Sequence, residues 1–349
     1  MDTNLSLIDP LRDKRWDDFV KSHPSGSIYH SSPWFEILNH TYSLTPFYYS
    51  SIDGNNELIG IIPLFLIKSF LTGNHMVSLP FSDFCDPIFL NVEDKEKCLE
   101  KIIQLHHNQV KYFEIRSTEI SNNNLPSHNY YKLHRLDLSD DPGEIMQKID
   151  KRTVHYSIRK ALREGIEIKE ENSVRGIREF YRLNILTRKK HGVPPQPFEF
   201  FKNILDVLIL KKMGSILLAV YEGRAIAAGI FLNFKDTVYY KYNASDPAYL
   251  SKKTPNHLLT WHAIEHACLN GYRFFDFGRT SPDNKGLIRY KEMWGAYPVD
   301  LPYYYYPKVM GVTSKEEMSF SYHFFTRLWK YLPNPIVEKF GPIVYRHIS

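Results

Sequence analysis

The longest apolar run in the chain, 59–67, belongs to Leu58-Ile59-Gly60-Ile61-Ile62-Pro63-Leu64-Phe65-Leu66-Ile67, and Asp53-Gly54-Asn55-Asn56 separates it from a β-rich run over 47–52. Two such runs across an Asn/Gly turn predict a hairpin. Periodic apolar positions predict helices over 9–20, where Trp16, Phe19 and Val20 share a face, and over 94–110, where Leu99, Ile102, Ile103 and Leu105 do. Another helix is expected from Ser32, a capping residue, with Pro33 in its first position. Short strands are expected at 76–80, 88–90, 112–116 and 131–138.

Past Asp140-Asp141-Pro142-Gly143, which reads as a boundary, the pattern returns. A strand over 215–221, the turn Glu222-Gly223-Arg224, a strand over 225–233 and another over 238–242 lead to a helix. There Thr254 is the expected N-cap, Pro255 the first residue, and Leu258, Trp261, Ala263, Ile264 and Ala267 the apolar face. Gly271 ends it, and Phe274-Phe275-Asp276-Phe277 forms a buried strand that Gly278-Arg279-Thr280-Ser281-Pro282 breaks. Gly54 and Gly60 match Gly223 and Gly229 in separation, and the helix–strand pair over 97–116 matches that over 258–278. The reading is a duplicated α/β (α+β) chain with mixed, mainly antiparallel sheets: domains 1–140 and 141–310, and a tail, 311–349, packing back on the first. Between the halves, 153–165 predicts a helix with Val154, Ile158 and Ala161 on one side and Arg152, His155, Arg159 and Arg163 on the other. Such a basic face is a solvated surface or, beside a domain boundary, a phosphate grip.

Composition narrows the function classes. At 349 residues, 43% hydrophobic and 24% charged, the chain has ample core for a soluble protein. Its net charge of +5 fits a phosphorylated ligand or an RNA end, but no DNA- or RNA-binding signature accompanies it. Three scattered cysteines, Cys85, Cys98 and Cys268, give no disulfide framework or thiolate zinc site, and with no signal peptide evident the expected location is the cytoplasm. His262 and His266 have zinc-ligand spacing, but Glu265 is not placed as a metalloprotease base and no third ligand is visible, so no metal is expected. No Gly-x-Ser-x-Gly elbow, Walker loop or Rossmann fingerprint occurs.

Three segments carry a resemblance: Asn256-His257-Leu258-Leu259 with Trp261; Phe275-Asp276-Phe277-Gly278-Arg279; and Gly286-Leu287-Ile288-Arg289-Tyr290-Lys291 before Trp294-Gly295. Together with Gly60-Ile61-Ile62-Pro63-Leu64 and Val77-Ser78-Leu79-Pro80-Phe81, this chain resembles the FemABX-type proteins of the GNAT acyltransferase superfamily, most closely the envelope- or exopolysaccharide-associated branch, over about 29–302. The resemblance implies tandem GNAT-like domains facing one another, acyl transfer to an amine, and a donor that is acyl-CoA or aminoacyl-tRNA rather than a tightly bound cofactor. It implies a phosphorylated or lipid-linked acceptor, held by Arg152 and Tyr156 one turn later, with Tyr242, or Tyr240 in its stead, joining them. Lys291 would be the lysine that stabilises the oxyanion. A lysine expected on the first domain's early helix is Asn39 here, and the glycine-rich loop Arg/Gln-x-x-Gly-x-Gly/Ala of acetyl-CoA-binding relatives is missing before the Thr254 helix.

Aminolysis of an ester or thioester needs a neutral amine beside the acyl carbon and a cation or dipole for the carbonyl oxygen. Lys291 suits the second task in a dry site, or else bonds nearby acids such as Glu292. Asp276 is either the amine's proton acceptor or a structural partner of Arg279 or Arg273. Arg159, Arg279 and Arg289 are candidate phosphate ligands, and Asn256 sits where the Thr254 helix opens. The tail mixes Phe324, Phe325, Leu328 and Trp329 with Arg327, Lys330, Lys339 and Arg346, as a segment lying on a membrane or packing on the first domain does. The competing reading is a non-catalytic scaffold of exopolysaccharide assembly.

Overall fold

The computed structural model describes residues 4–69, 73–117, 127–307 and 329–345. The tail positions Phe324, Phe325, Arg327, Leu328 and Arg346 lie outside the described residues. Contacts divide the chain into two compact units, the first built on residues up to Tyr130 and a late strand from Asp300, the second on Tyr131–Val299.

In the first unit the strands are β1 (Asn4–Leu7), β2 (Thr45–Ile52), β3 (Leu58–Ile67), β4 (His75–Val77), β5 (Ile88–Phe89), β6 (Tyr112–Arg116) and the chain's last, β13 (Tyr297–Tyr306). Their order is β1-β2-β3-β4-β6-β13, with β5 against β3. All pair antiparallel except β4 with β6, as a parallel pair needs a crossover, here the Val92–His106 helix. That helix buries Cys98, Leu99 and Ile102 against Ile62, Leu64, Met76, Phe113 and Ile115. Asn91 caps it, accepting from the Glu93 N–H at 2.9 Å.

The second unit repeats the plan. Its strands β7 (Ser127–Asp137), β8 (Glu167–Glu170), β9 (Gly214–Tyr221), β10 (Arg224–Phe234), β11 (Thr237–Ser245) and β12 (Phe274–Thr280) run in the order β7-β12-β11-β10-β9-β8. Only β11 and β12 are parallel, joined through the Pro255–Leu269 helix. Gly60 and Gly229 occupy matching strands where a Cβ has no room: it would lie 2.1 Å from the Phe89 ring in one and 2.9 Å from Leu259 in the other. The crossover helix packs Leu258, Leu259, Ile264 and Ala267 on Phe231, Phe275 and Phe277.

Several elements differ from the sequence reading. Thr254 does not cap through its side chain: it is left-handed (φ +52°), and its hydroxyl donates to the Ser157 carbonyl at 2.9 Å. The helix expected over 153–165 is a π-helical turn, Lys151–His155, followed by Tyr156–Arg163. Helices Val174–His191 and Phe198–Val207 were not expected; the first packs on β9, β10 and β11, and the second sets Phe200 and Phe201 against Tyr242 of β11. Of the described tail, residues 329–342 group with the second unit and 343–345 with the first. Among the described residues, no helix is long and apolar enough to cross a membrane.

Candidate active site

The chemistry-bearing residues of the second unit gather at an irregularity in β12. Asp276 pairs with Arg135 and Arg279 with Leu133, so β12 spends one more residue than β7 between these points, a β-bulge. Gly278 takes the strain at φ +72°, a conformation that costs a side-chain-bearing residue. The strand therefore continues to Thr280 where the sequence suggested a break.

A bulge takes backbone groups out of the ladder, and two buried side chains collect them. Lys291, at the end of the Lys285–Glu292 helix and 4% exposed, donates from Nζ to the Gly278 carbonyl at 2.7 Å and the Arg279 carbonyl at 3.4 Å. Asp276, 2% exposed, accepts the Gly278 N–H at 2.6 Å, and its other oxygen lies 3.8 Å from Arg135 Nε. Arg135 of β7 is thus a partner of Asp276, while Arg273 faces Asp236 at 3.7 Å and the Arg279 guanidinium lies over the Tyr131 ring at 4.6 Å.

Across β7 from the bulge is His134, fully buried, its pKa pushed down to about 4 by burial and then by the Lys291 charge. On the crossover helix, His257 is likewise held near 4 by burial, with its ring 5.4 Å from that of Tyr290. Thr260 and Tyr290 share a hydrogen bond of 3.1 Å, and burial raises the Tyr290 pKa. Tyr240, stacked on Phe231 at 4.5 Å, belongs to this group, its pKa also raised by burial. Asn256 stands in the first turn of the crossover helix, its Oδ1 buried without a hydrogen-bond partner among the described residues.

A GNAT acetyltransferase domain model matches residues 150–292, which hold these groups except for those of β7. The UDP-N-acetylmuramoylpentapeptide-lysine N(6)-alanyltransferase of Weissella viridescens is 20% identical over 265 residues, 69% of this chain and 76% of that protein. The chain carries a GNAT acyltransferase domain and is FemABX-like. The crystal structure of FemX superposes with a TM-score of 0.65 at 15% identity, over 86% of this chain and 96% of that one. A tandem GNAT protein from the clavulanic acid biosynthesis pathway gives 0.56 at 9% identity, over 87% and 98%. These two likenesses are of fold, and both extend over the duplicated arrangement.

In this FemABX-like chain the site residues expected from sequence fall into three places. Lys291, Asp276 and Arg279 meet at the bulge. Arg152, Tyr156 and Arg159 lie along the π-turn and following helix at spacings of four and three, all exposed, Tyr156 by 54%. His155, expected on that face, instead hydrogen-bonds the Met146 carbonyl through Nε2 at 2.7 Å. Tyr242 joins neither group: its ring packs edge-on to Phe200 and Phe201 at 5.9 and 5.3 Å, because the β10–β11 register slips between Tyr240 and Tyr242. Arg289 is exposed on the lysine helix. Sequence reasoning passed over His134, Arg135, Thr260 and, as an individual residue, His257. Only His257 carried a local signal, inside the Asn256-His257 motif.

Proposed function

We propose that this acyltransferase moves an aminoacyl group from aminoacyl-tRNA to an amine on a phosphorylated or lipid-linked cell-envelope precursor. The observation that carries the reading is the Lys291 ammonium, buried at the β12 bulge among backbone carbonyls. When the acceptor amine attacks the acyl ester, the new C–N bond places negative charge on the carbonyl oxygen. A cation in a site of low polarity stabilises that charge far better than one in water. Collapse expels the tRNA hydroxyl, and the amine's proton leaves with it or to solvent. Asp276, whose oxygens engage Gly278 and Arg135, supports the bulge in this reading rather than taking the proton. Arg152 and Arg159 with Tyr156 meet the acceptor's phosphates, for which exposed guanidinium groups in a row are suited. Asn256, Arg279 and Arg289 stand as further substrate contacts.

The aminoacyl donor is favoured by the alanyl transfer that the Weissella relative performs. The segment 246–254 before the crossover helix also has no glycine, and its Leu250–Lys253 turn is tied down by Lys253 on Glu164 at 2.6 Å. Acyl-CoA is the second reading, favoured by the GNAT fold. The test is transfer of labelled alanine from charged tRNA, and of labelled acetyl from acetyl-CoA, to UDP-N-acetylmuramoyl-pentapeptide. Product from charged tRNA alone supports the first reading, with Arg152→Ala raising KM about 10- to 100-fold, the loss of one charged hydrogen bond. Product from acetyl-CoA alone moves the assignment to the second.

A further inference from the structure

The tail helix, Asn334–Tyr345, buries Val337 and Gly341 and leaves Ile336 and Phe340 38% and 48% exposed. Its packed side is fixed by Gly341, where a Cβ would lie 2.4 Å from Pro195. At 100° per residue, Ile336, Lys339 and Phe340 fall within one arc of about 100° that starts beside the packed side at Phe340, and Ile343, 59% exposed, lies inside it. Tyr331, 78% exposed, precedes it. Lys339 places its Nζ 5.8 Å from the Phe340 ring centroid, so its charge sits at the edge of the apolar stripe. The helix's single acid, Glu338, points away from that stripe.

Cations lie beside the start of this helix. Arg188, Lys189 and Lys190 form the last turn of Val174–His191, and Lys189 Nζ donates to Asn334 Oδ1 at 3.3 Å. Lys330 lies close enough to His191 to help burial, Lys190 and Arg188 lower that imidazole's pKa. Apolar rings and aliphatic chains rimmed by lysines are the composition of a helix that lies in a lipid headgroup layer.

We propose that this face docks on an anionic phospholipid surface, with Ile336 and Phe340 entering the headgroup layer and Lys330, Lys339 and Lys190 meeting lipid phosphates. The docking is independent of which acyl donor the enzyme uses. The experiment is co-sedimentation of the full chain with vesicles of phosphatidylcholine alone and with phosphatidylglycerol added. Binding is expected only to the anionic vesicles and is expected to weaken as salt rises. Ile336→Asp with Phe340→Asp should abolish it, and Lys330→Ala or Lys339→Ala should weaken it about fivefold each, the contribution of one cation near such a leaflet. These positions are exposed, and an unchanged melting temperature checks that the variants fold. No binding to anionic vesicles, equal binding to both kinds, or unchanged binding by the double variant overturns the proposal. So does a wild-type dimer that dissociates in the double variant, which assigns the face to a second copy of the chain.

Discussion

Replacing Gly278 with alanine strikes the bulge on which the site depends. At φ +72° an alanine carries a steric cost of about 1–2 kcal/mol. Its stiffer unfolded chain returns about 0.4–1 kcal/mol, leaving a net loss near 1 kcal/mol if the bulge survives. If the backbone relaxes instead, the Gly278 carbonyl leaves Lys291, and a buried ammonium loses an acceptor now at 2.7 Å. Hydrogen bonds to charged groups contribute about 1.5–3 kcal/mol, and that loss then replaces the steric cost. Urea unfolding of wild type, Gly278→Ala, Lys291→Met and the double variant separates the two cases. Coupling of about 1–2 kcal/mol, with Gly278→Ala costing less once Lys291 is gone, is expected. Additivity to within about 0.5 kcal/mol, the behaviour of independent sites, refutes the claim that lysine and bulge form one unit. Gly286→Ala is the control: Gly286 is exposed near the start of the lysine helix, and alanine there should stabilise by about 0.5–1 kcal/mol.

Two further outcomes follow from buried titratable groups. His134 and His257 have folded pKa values near 4, below the ordinary 6.5, so the unfolded chain binds more protons between these values. Stability is therefore full above pH 6.5 and falls as pH drops towards 4, by up to about 1.4 kcal/mol per pH unit for each histidine, and His134→Leu should flatten the profile of melting temperature against pH. In the first unit, Arg116 and Glu114 form a pair at 2.6 Å with side chains 5% and 9% exposed. Glu114→Ala leaves the buried Arg116 guanidinium without its carboxylate, though still on the Ser82 carbonyl, and should cost about 3 kcal/mol by denaturant unfolding, whereas replacing both with apolar residues should cost much less.

What the sequence revealed follows from the range of the interactions. The β2–β3 and β9–β10 hairpins were legible because their turns and alternation are local. So was the repeat, because Gly60 and Gly229 answer the same need, a ring or chain pressed on the backbone. Thr254 looked like a cap because Thr-Pro is a local signature. A carbonyl on a neighbouring helix, Ser157, captures its hydroxyl instead. Gly278 read as a strand break, since a bulge and a break look alike until the partner strand is known. Asp276 read as a proton acceptor or as a partner of Arg279 or Arg273, close in sequence, and nothing local pointed to Arg135, which reaches it from β7, 141 residues earlier. Lys291 was singled out by its motif, while its burial and its carbonyl partners depend on that same tertiary pairing.

The central claim is that the Lys291 ammonium stabilises charge in acyl transfer. The direct measurement is the single-turnover transfer rate of Lys291→Met against wild type, with saturating donor and acceptor and with melting temperatures recorded for both. Loss of one preorganised donor at a developing oxyanion lowers the rate about 10²- to 10³-fold, and that loss in a folded protein is the expected result. A variant that folds and transfers within about threefold of wild type would mean that Lys291 only fastens the bulge and that the charge is met elsewhere.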